Sequence, residues 1–182
     1  MNKFSKILFP AAALTVICLV ISLALAVANS VTKDKIEQNT LLEKQKIAQT
    51  VLKDAVEFEE ITYDGILVYK ALDNKGEVIG YVFETVSSGY GGDMTVMTAI
   101  AADGKLTGVK VVSSSETPGL GKNAEKDSFL SRFIGTEGML NVVKGPAGDN
   151  EISAITGATI SSRAVVNAVN AARSAFEEIK EQ

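Results

Sequence analysis

The sequence predicts an α+β protein: a single N-terminal transmembrane helix, then one domain of antiparallel hairpins closed by a long C-terminal helix. Three observations carry this expectation. Ile7–Ala28 is an uncharged run of 22 residues. The apolar period changes to that of strands near residue 65 and to that of a helix near the C-terminal end. The segments follow the order helix, two hairpins, short helix, strand, long helix, which favours α+β over a wound parallel sheet.

The N-terminal run, interrupted only by Pro10, Thr15 and Ser22, would rise roughly 33 Å as a helix, enough to cross a bilayer's hydrocarbon core. Lys3 and Lys6 precede it, so the positive-inside rule puts the amino terminus in the cytoplasm and the rest outside. Ala26-Val27-Ala28 also fits a signal-peptide cleavage site. Cleavable apolar regions run only about 7–15 residues, however, which favours the anchor. Either reading exports the domain. Cys18 falls mid-span and reads as a small hydrophobe. Residues 1–30 are thus a cytoplasmic tip and transmembrane anchor, residues 31–58 a juxtamembrane helix and residues 59–182 the domain. In the second segment Ile36, Leu41, Ile47, Ala48, Val51, Leu52 and Ala55 recur near helical spacing, as a stalk or as a packed first helix.

Ile66–Leu72 and Glu77–Phe83 flank Asn74-Lys75-Gly76 and predict one hairpin. Met94–Ala101 and Leu106–Ser113 flank Ala102-Asp103-Gly104 and predict another. Asp127–Phe133 suggests a short helix capped near Asn123 or Asp127, Met139–Val143 a further strand, and 145–150 a loop. In the final helix Val165, Ala168, Val169, Ala172, Ala175, Phe176 and Ile179 line one face. Asn167, Asn170, Arg173, Glu177 and Glu178 lie opposite, and Ser161 or Ser162 is the expected cap.

Composition narrows the chemistry. The 182 residues include no His, no Trp and one Cys. That excludes a Ser-His-Asp triad, a His-ligated metal, an internal disulfide and a cysteine-ligated cluster, and leaves any redox work to a bound cofactor. Lys3 and Lys6 are the only charges before residue 31, so the remainder carries 16 basic and 22 acidic side chains. A net charge of −6 argues against nucleic acid.

Three glycine-containing stretches are candidates for a site. Ser88-Gly89-Tyr90-Gly91-Gly92 is either a flexible crossover or a backbone that lets a flat ligand approach beside Tyr90. In Ser115-Glu116-Thr117-Pro118-Gly119-Leu120-Gly121-Lys122, Pro118-Gly119 fits a type II turn, with Glu116, Thr117 and Leu120 forming a mixed polar and apolar surface. Ser153-Ala154-Ile155-Thr156-Gly157-Ala158-Thr159 runs into the last helix, whose free N–H groups and dipole suit a phosphate. Neither a P-loop nor a G-x-G-x-x-G fingerprint is present.

Thr156-Gly157-Ala158-Thr159, followed by Ile-Ser-Ser-Arg-Ala-Val-Val and a long helix, resembles the flavinylation motif of exported FMN-binding domains. The upstream GYGG and ETPGLG stretches stand in that family's order. With one N-terminal span and this short length, the chain resembles the G-subunit family of Rnf ion-translocating electron-transport complexes. The likeness covers nearly the whole chain and is strongest from Ser88 onward. The C subunit of the sodium-pumping NADH:quinone reductase represents a related but typically longer family.

The resemblance implies that residues 59–182 are an FMN-binding domain with FMN joined through its phosphate to Thr159. Thr156, Gly157 and Ala158 would complete the motif. It places Glu116, Thr117, Gly119 and Leu120 along the flavin, with Gly89, Tyr90 and Gly92 nearby. Ser153 stands where the family usually has Asp, a position tied to the modifying flavin transferase. The implied role is an electron-transfer subunit of a ferredoxin:NAD⁺ oxidoreductase complex, without a complete active site of its own. Its implied partners are the complex's other membrane and peripheral subunits, the flavin transferase and the inner membrane, with the FMN domain on the extracytoplasmic side. The alternative, motivated by Ser153, is an unflavinylated structural subunit, or an exported flavin-binding domain of a related complex such as the sodium-pumping reductase.

Overall fold

The computed structural model describes residues 12, 14–23, 25, 46–52 and 54–181. The chain divides into two compact units, Met1–Glu43 and Lys44–Gln182. In the first, the described residues are helical and exposed. Among the described residues no helix is long and apolar enough to cross a membrane, and the rest of the expected Ile7–Ala28 span lies outside them.

The second unit is α+β. It is built on a five-stranded antiparallel meander in the order β1-β2-β3-β4-β5. The strands are β1 (Glu57–Tyr63), β2 (Ile66–Leu72), β3 (Val78–Ser88), β4 (Asp93–Ala101) and β5 (Leu106–Ser113). Both expected hairpins are present, and the stretch between them is itself the tight β3–β4 turn, with Gly89 N–H donating to Gly92 O at 2.8 Å. The expected juxtamembrane helix is corrected at its C-terminal end. Helix α1 covers residues 46–51, and the chain is extended from Glu57. β1 escapes the periodicity because Glu57, Glu59 and Glu60 leave it polar on an exposed sheet edge.

The two faces of the meander bury different sets, as a period of two requires. Val82, Met97 and Ala99 pack with Tyr69 and Ala71 against Ala48 and Val51 of α1 and Leu52 just after it. Gly108 is the notch for α1: a Cβ there would lie 2.5 Å from Val51 Cβ. The opposite face sends Val68, Phe83, Val96 and Ile100 toward the long helix α3 (Thr159–Lys180). Thr85, buried between the layers, donates its hydroxyl to Ala168 O at 2.9 Å.

Between β5 and α3 the chain forms a 3-10 turn (Gly121–Glu125), the short helix α2 (Asp127–Leu130) and a second 3-10 turn (Ser131–Phe133). Lys126 precedes α2 with no side-chain cap bond, so neither Asn123 nor Asp127 caps it. The expected late strand is shorter, β6 (Asn141–Val143), and pairs in parallel with β7 (Glu151–Ser153), a strand hidden by its length of three residues.

One face of α3 needs correction. Arg173 is not on the solvent side but buried, its Nη2 donating to Thr136 O at 2.6 Å and Thr136 Oγ1 at 3.0 Å. Asn170 likewise bridges the backbone of Leu140, accepting from its N–H at 2.9 Å and donating to its carbonyl at 2.8 Å. These bonds staple the 136–140 segment to α3, and those from Asn170 satisfy the Leu140 N–H and carbonyl, which lie outside any strand.

Tyr69 lends the fold a distinctive alkaline sensitivity. It is 2% exposed, and its hydroxyl has no hydrogen-bond partner among the described residues. Burial, then the charges of Glu60 and Glu84, push its phenol up to about 12. The fold therefore favours the neutral phenol over an ordinary value near 10. The benefit is intact below about pH 10 and lost as pH rises toward 12, a change on the order of 2–3 kcal/mol. The stability difference between wild type and Tyr69→Phe, followed by urea unfolding from pH 9 to 12, should show this slope. A pH-independent difference would contradict it.

Candidate functional site

Three backbone segments meet at the N-terminal end of α3, and a buried carboxylate joins them. Glu116, just beyond β5, is 3% exposed. Its Oε1 accepts the backbone N–H of Tyr90 at 2.7 Å and of Gly91 at 3.2 Å. Its Oε2 accepts the hydroxyl of Ser161, in the first turn of α3, at 2.9 Å. A buried carboxylate is costly unless such donors surround it.

The glycines of the two loops follow from this contact. A Cβ on Gly89 would stand 2.2 Å from Glu116 Oε1, and one on Gly121 2.0 Å from Oε2. Gly91 has its own constraint, since a Cβ would meet Ser115 O at 2.2 Å. The Thr117–Leu120 turn is of the expected kind: Leu120 N–H donates to Thr117 O at 3.2 Å, and Gly119 takes φ +79° at the third position.

The entry to α3 is tightly laced. Ala158 precedes the helix with no side-chain cap bond, so neither Ser161 nor Ser162 is the expected cap. Ser162 Oγ instead accepts Ile155 N–H at 3.0 Å and donates to Ala158 O at 2.9 Å, holding the 155–158 turn closed. The first-turn N–H groups of α3 are thus left without a side-chain acceptor from the residue before the helix, with the positive end of the helix dipole behind them.

In front of this helix end lies an open cavity of about 440 Å³, within the usual range for small-ligand sites. Its walls bring together seven of the residues singled out in the sequence: Tyr90, Glu116, Thr117, Leu120, Gly157, Ala158 and Thr159. Gly121, Ile160 and Ser161 complete the lining: Gly121 lies in a candidate stretch without being assigned to the site, Ser161 is expected only as a cap, and Ile160 has no signal in the sequence. Ser161 and Ile160 resemble ordinary first-turn residues, and only the folded chain places them on the cavity wall. Thr156, Gly89, Gly92 and Gly119 lie in the same loops without lining the cavity. Ser153 faces elsewhere, its hydroxyl donating to Gly145 O at 2.8 Å while its carbonyl accepts Arg132 Nη1 at 2.9 Å. Tyr90, Leu120 and Ile160 are 73%, 50% and 50% exposed, so the rim is apolar and open. Among the described residues no cluster of acidic, His or Cys side chains could hold a metal.

Residues 89–174, which contain all of this cavity's lining, match the FMN-binding domain family. The G subunit of the Na⁺-translocating ferredoxin:NAD⁺ oxidoreductase complex of Acetobacterium woodii is 37% identical over 91% of this chain and 89% of its own length. The chain belongs to this G-subunit family. Another G subunit, of the proton-translocating complex of Clostridium ljungdahlii, is 34% identical over 87% of this chain and 85% of its own length. That of the ion-translocating oxidoreductase complex of Methanosarcina acetivorans is 32% identical, covering 87% and 88%. Among solved structures the fold is similar to Shewanella oneidensis NqrC, with a TM-score of 0.57 at 23% identity over 71% of this chain and 73% of that one. As a member of the G-subunit family, the chain carries an FMN-binding domain whose matched residues take in β4, β5 and most of α3.

Gly157 tests the shape of the turn before α3. It takes φ +78°, and an added Cβ would lie 3.4 Å from Leu120 Cδ2. Gly157→Ala forces a left-handed residue with a side chain, at roughly 1–2 kcal/mol. At this size that lowers the melting temperature by about 3–8 °C, measurable by calorimetry. An unchanged melting temperature would refute the strained turn.

Proposed function

We propose that this chain is a membrane-anchored electron-transfer subunit of an ion-translocating ferredoxin:NAD⁺ oxidoreductase complex and carries FMN covalently, as a phosphoester on Thr159. The observation that supports it is the position of Thr159. It lies on the cavity wall at the first residue of an uncapped 22-residue helix. A phosphate attached there would meet the free N–H groups and the dipole of α3.

The donor set also fits the rest of the group. Leu120, Ile160 and the Tyr90 ring offer apolar area to a flat heteroaromatic ring, while the Thr117 hydroxyl and exposed loop backbone offer polar contacts at its edge. A bound flavin supplies one- and two-electron transfer, chemistry that a chain without histidine and with a single cysteine does not itself provide. The protein's own work is then to bind, orient and partly shield. The open rim left by Tyr90, Leu120 and Ile160 keeps the site within reach of a redox partner elsewhere in the complex.

Attachment needs a balanced group transfer. Thr159 Oγ1 gains a bond to phosphorus, the phosphoanhydride of a flavin dinucleotide breaks, a nucleoside monophosphate leaves, and the hydroxyl proton passes to solvent. A flavin transferase would catalyse that step. Ser153, in place of the family's usual Asp, lies outside the cavity lining, so its effect would fall on the transferase encounter rather than on the cavity.

The uncharged Ile7–Ala28 run behind Lys3 and Lys6 supports a single-pass anchor with the acidic domain outside the cytoplasm. Tethering by a phosphoester suits that side of the membrane, where released FMN would be lost.

Produced with a flavin transferase, the wild-type chain should stay fluorescent on a denaturing gel, with the flavin phosphate mapping to the peptide containing Thr159. Thr159→Ala should abolish both signals. A colourless wild-type protein, or flavin retained by Thr159→Ala, would overturn the reading.

A further inference from the structure

We propose that Glu116 is a positioning residue: its carboxylate, spanning Tyr90 and Ser161, sets the distance between the loop that faces the ring and the helix turn that carries Thr159. This rests on the flavin reading above. It assigns Glu116 a different role from lying along the flavin.

The geometry favours a bridge over a ligand contact. Each oxygen is committed to a different element, Oε1 to the β3–β4 turn and Oε2 to α3. These elements are far apart in sequence, with Tyr90 preceding Ser161 by 71 residues, so no local backbone bond can hold them in register. The three donors take up most of the acceptor capacity of a carboxylate, which accepts about four hydrogen bonds. Little remains to offer a ligand. The slot is also shaped for this group alone, since Gly89 and Gly121 each bring bare backbone to within reach of one oxygen.

The contact has directional consequences. Ser161 is two residues beyond Thr159 on the same helical turn, so its bond fixes the rotation of α3 about its axis at the acceptor hydroxyl. Tyr90 and Gly91 are held by their amides, which orients the turn whatever the side chain of Tyr90 does. Losing the bridge would therefore separate acceptor from ring surface while leaving the sheet and the body of α3 intact.

Conservative variants separate geometry from charge. Glu116→Gln can accept the two amides through its oxygen, and its amide can donate to Ser161, which retains the bridge without the charge. Glu116→Asp is a methylene too short to reach both sides. Ser161→Ala removes one arm, and Ser161→Thr restores a hydroxyl. In single-turnover loading with flavin adenine dinucleotide and a purified flavin transferase, Glu116→Asp and Ser161→Ala should load at least tenfold more slowly. Glu116→Gln and Ser161→Thr should stay within about twofold of wild type. Wild-type loading by Glu116→Asp, or equal loss in Glu116→Gln and Glu116→Asp, would overturn the proposal.

A second readout needs no flavin. Amide hydrogen exchange of the unloaded full chain should show lost protection at Tyr90 and Gly91 in Glu116→Asp, with the β2–β4 amides unchanged. Preserved protection at Tyr90 and Gly91 would overturn the bridge itself. A wild-type chain that is not loaded, yet loses this protection on Glu116→Asp, would sink the flavin reading and leave the bridge standing.

Discussion

The site depends on how one buried carboxylate is satisfied. Glu116 has little water to solvate it, so its donors must come from the protein, and they come from two segments that the meander alone would leave unconnected. The arrangement then dictates sequence at a distance. Gly89 and Gly121 are glycines because the carboxylate fills the space of their Cβ atoms, and position 161 needs a hydroxyl because Oε2 needs a donor from α3. Loop positions that look merely flexible are tightly specified by a polar group behind them.

The long helix ties this polar centre to the apolar core. Its inward face is rich in small residues, Ala164, Ala168 and Ala172, which let the helix approach β3 and β4 closely enough for Thr85 to reach a helix carbonyl. Phe83, Tyr81 and Phe176 fill the space near its C-terminal end in edge-on and tilted contacts, with centroids 5.9–6.4 Å apart. Arg173 and Asn170 hold the irregular 136–140 segment from the same helix. Packing therefore fixes the helix along its length, and Glu116 through Ser161 adds a constraint at its N-terminal turn.

Much of this was legible in the sequence wherever the signal is local. The hairpins announce themselves through alternating Val, Ile and Tyr around Asn-Lys-Gly and Asp-Gly turns, and α3 through its apolar stripe. The three glycine-containing stretches do converge, since eight of their residues line one cavity. What escaped depends on tertiary context. β1 is an acidic edge, β7 is too short to show a period, and the buried Arg173 carries the same charge as any exposed one. Ser161 and Ser162 look like caps because capping is what serines near helix starts commonly do. Here the helix begins at Thr159 with Ala158 before it, so both serines lie inside it, where their hydroxyls bond a buried carboxylate and the 155–158 turn.

That placement has a chemical consequence. A capped helix would spend its first-turn N–H groups on its own serine, and the dipole at that end would already face a partner. Because Ala158, which has no polar side chain, stands just before the helix, the chain leaves the helix end open beside Thr159, while Ser161 bonds Glu116 and Ser162 bonds the preceding turn. The carboxylate of Glu116, which also lines the cavity, has its oxygens engaged by three donors. An anion approaching Thr159 thus meets unclaimed amides and a carboxylate already occupied. With alanine at the cap position, this helix end is suited to holding a phosphate.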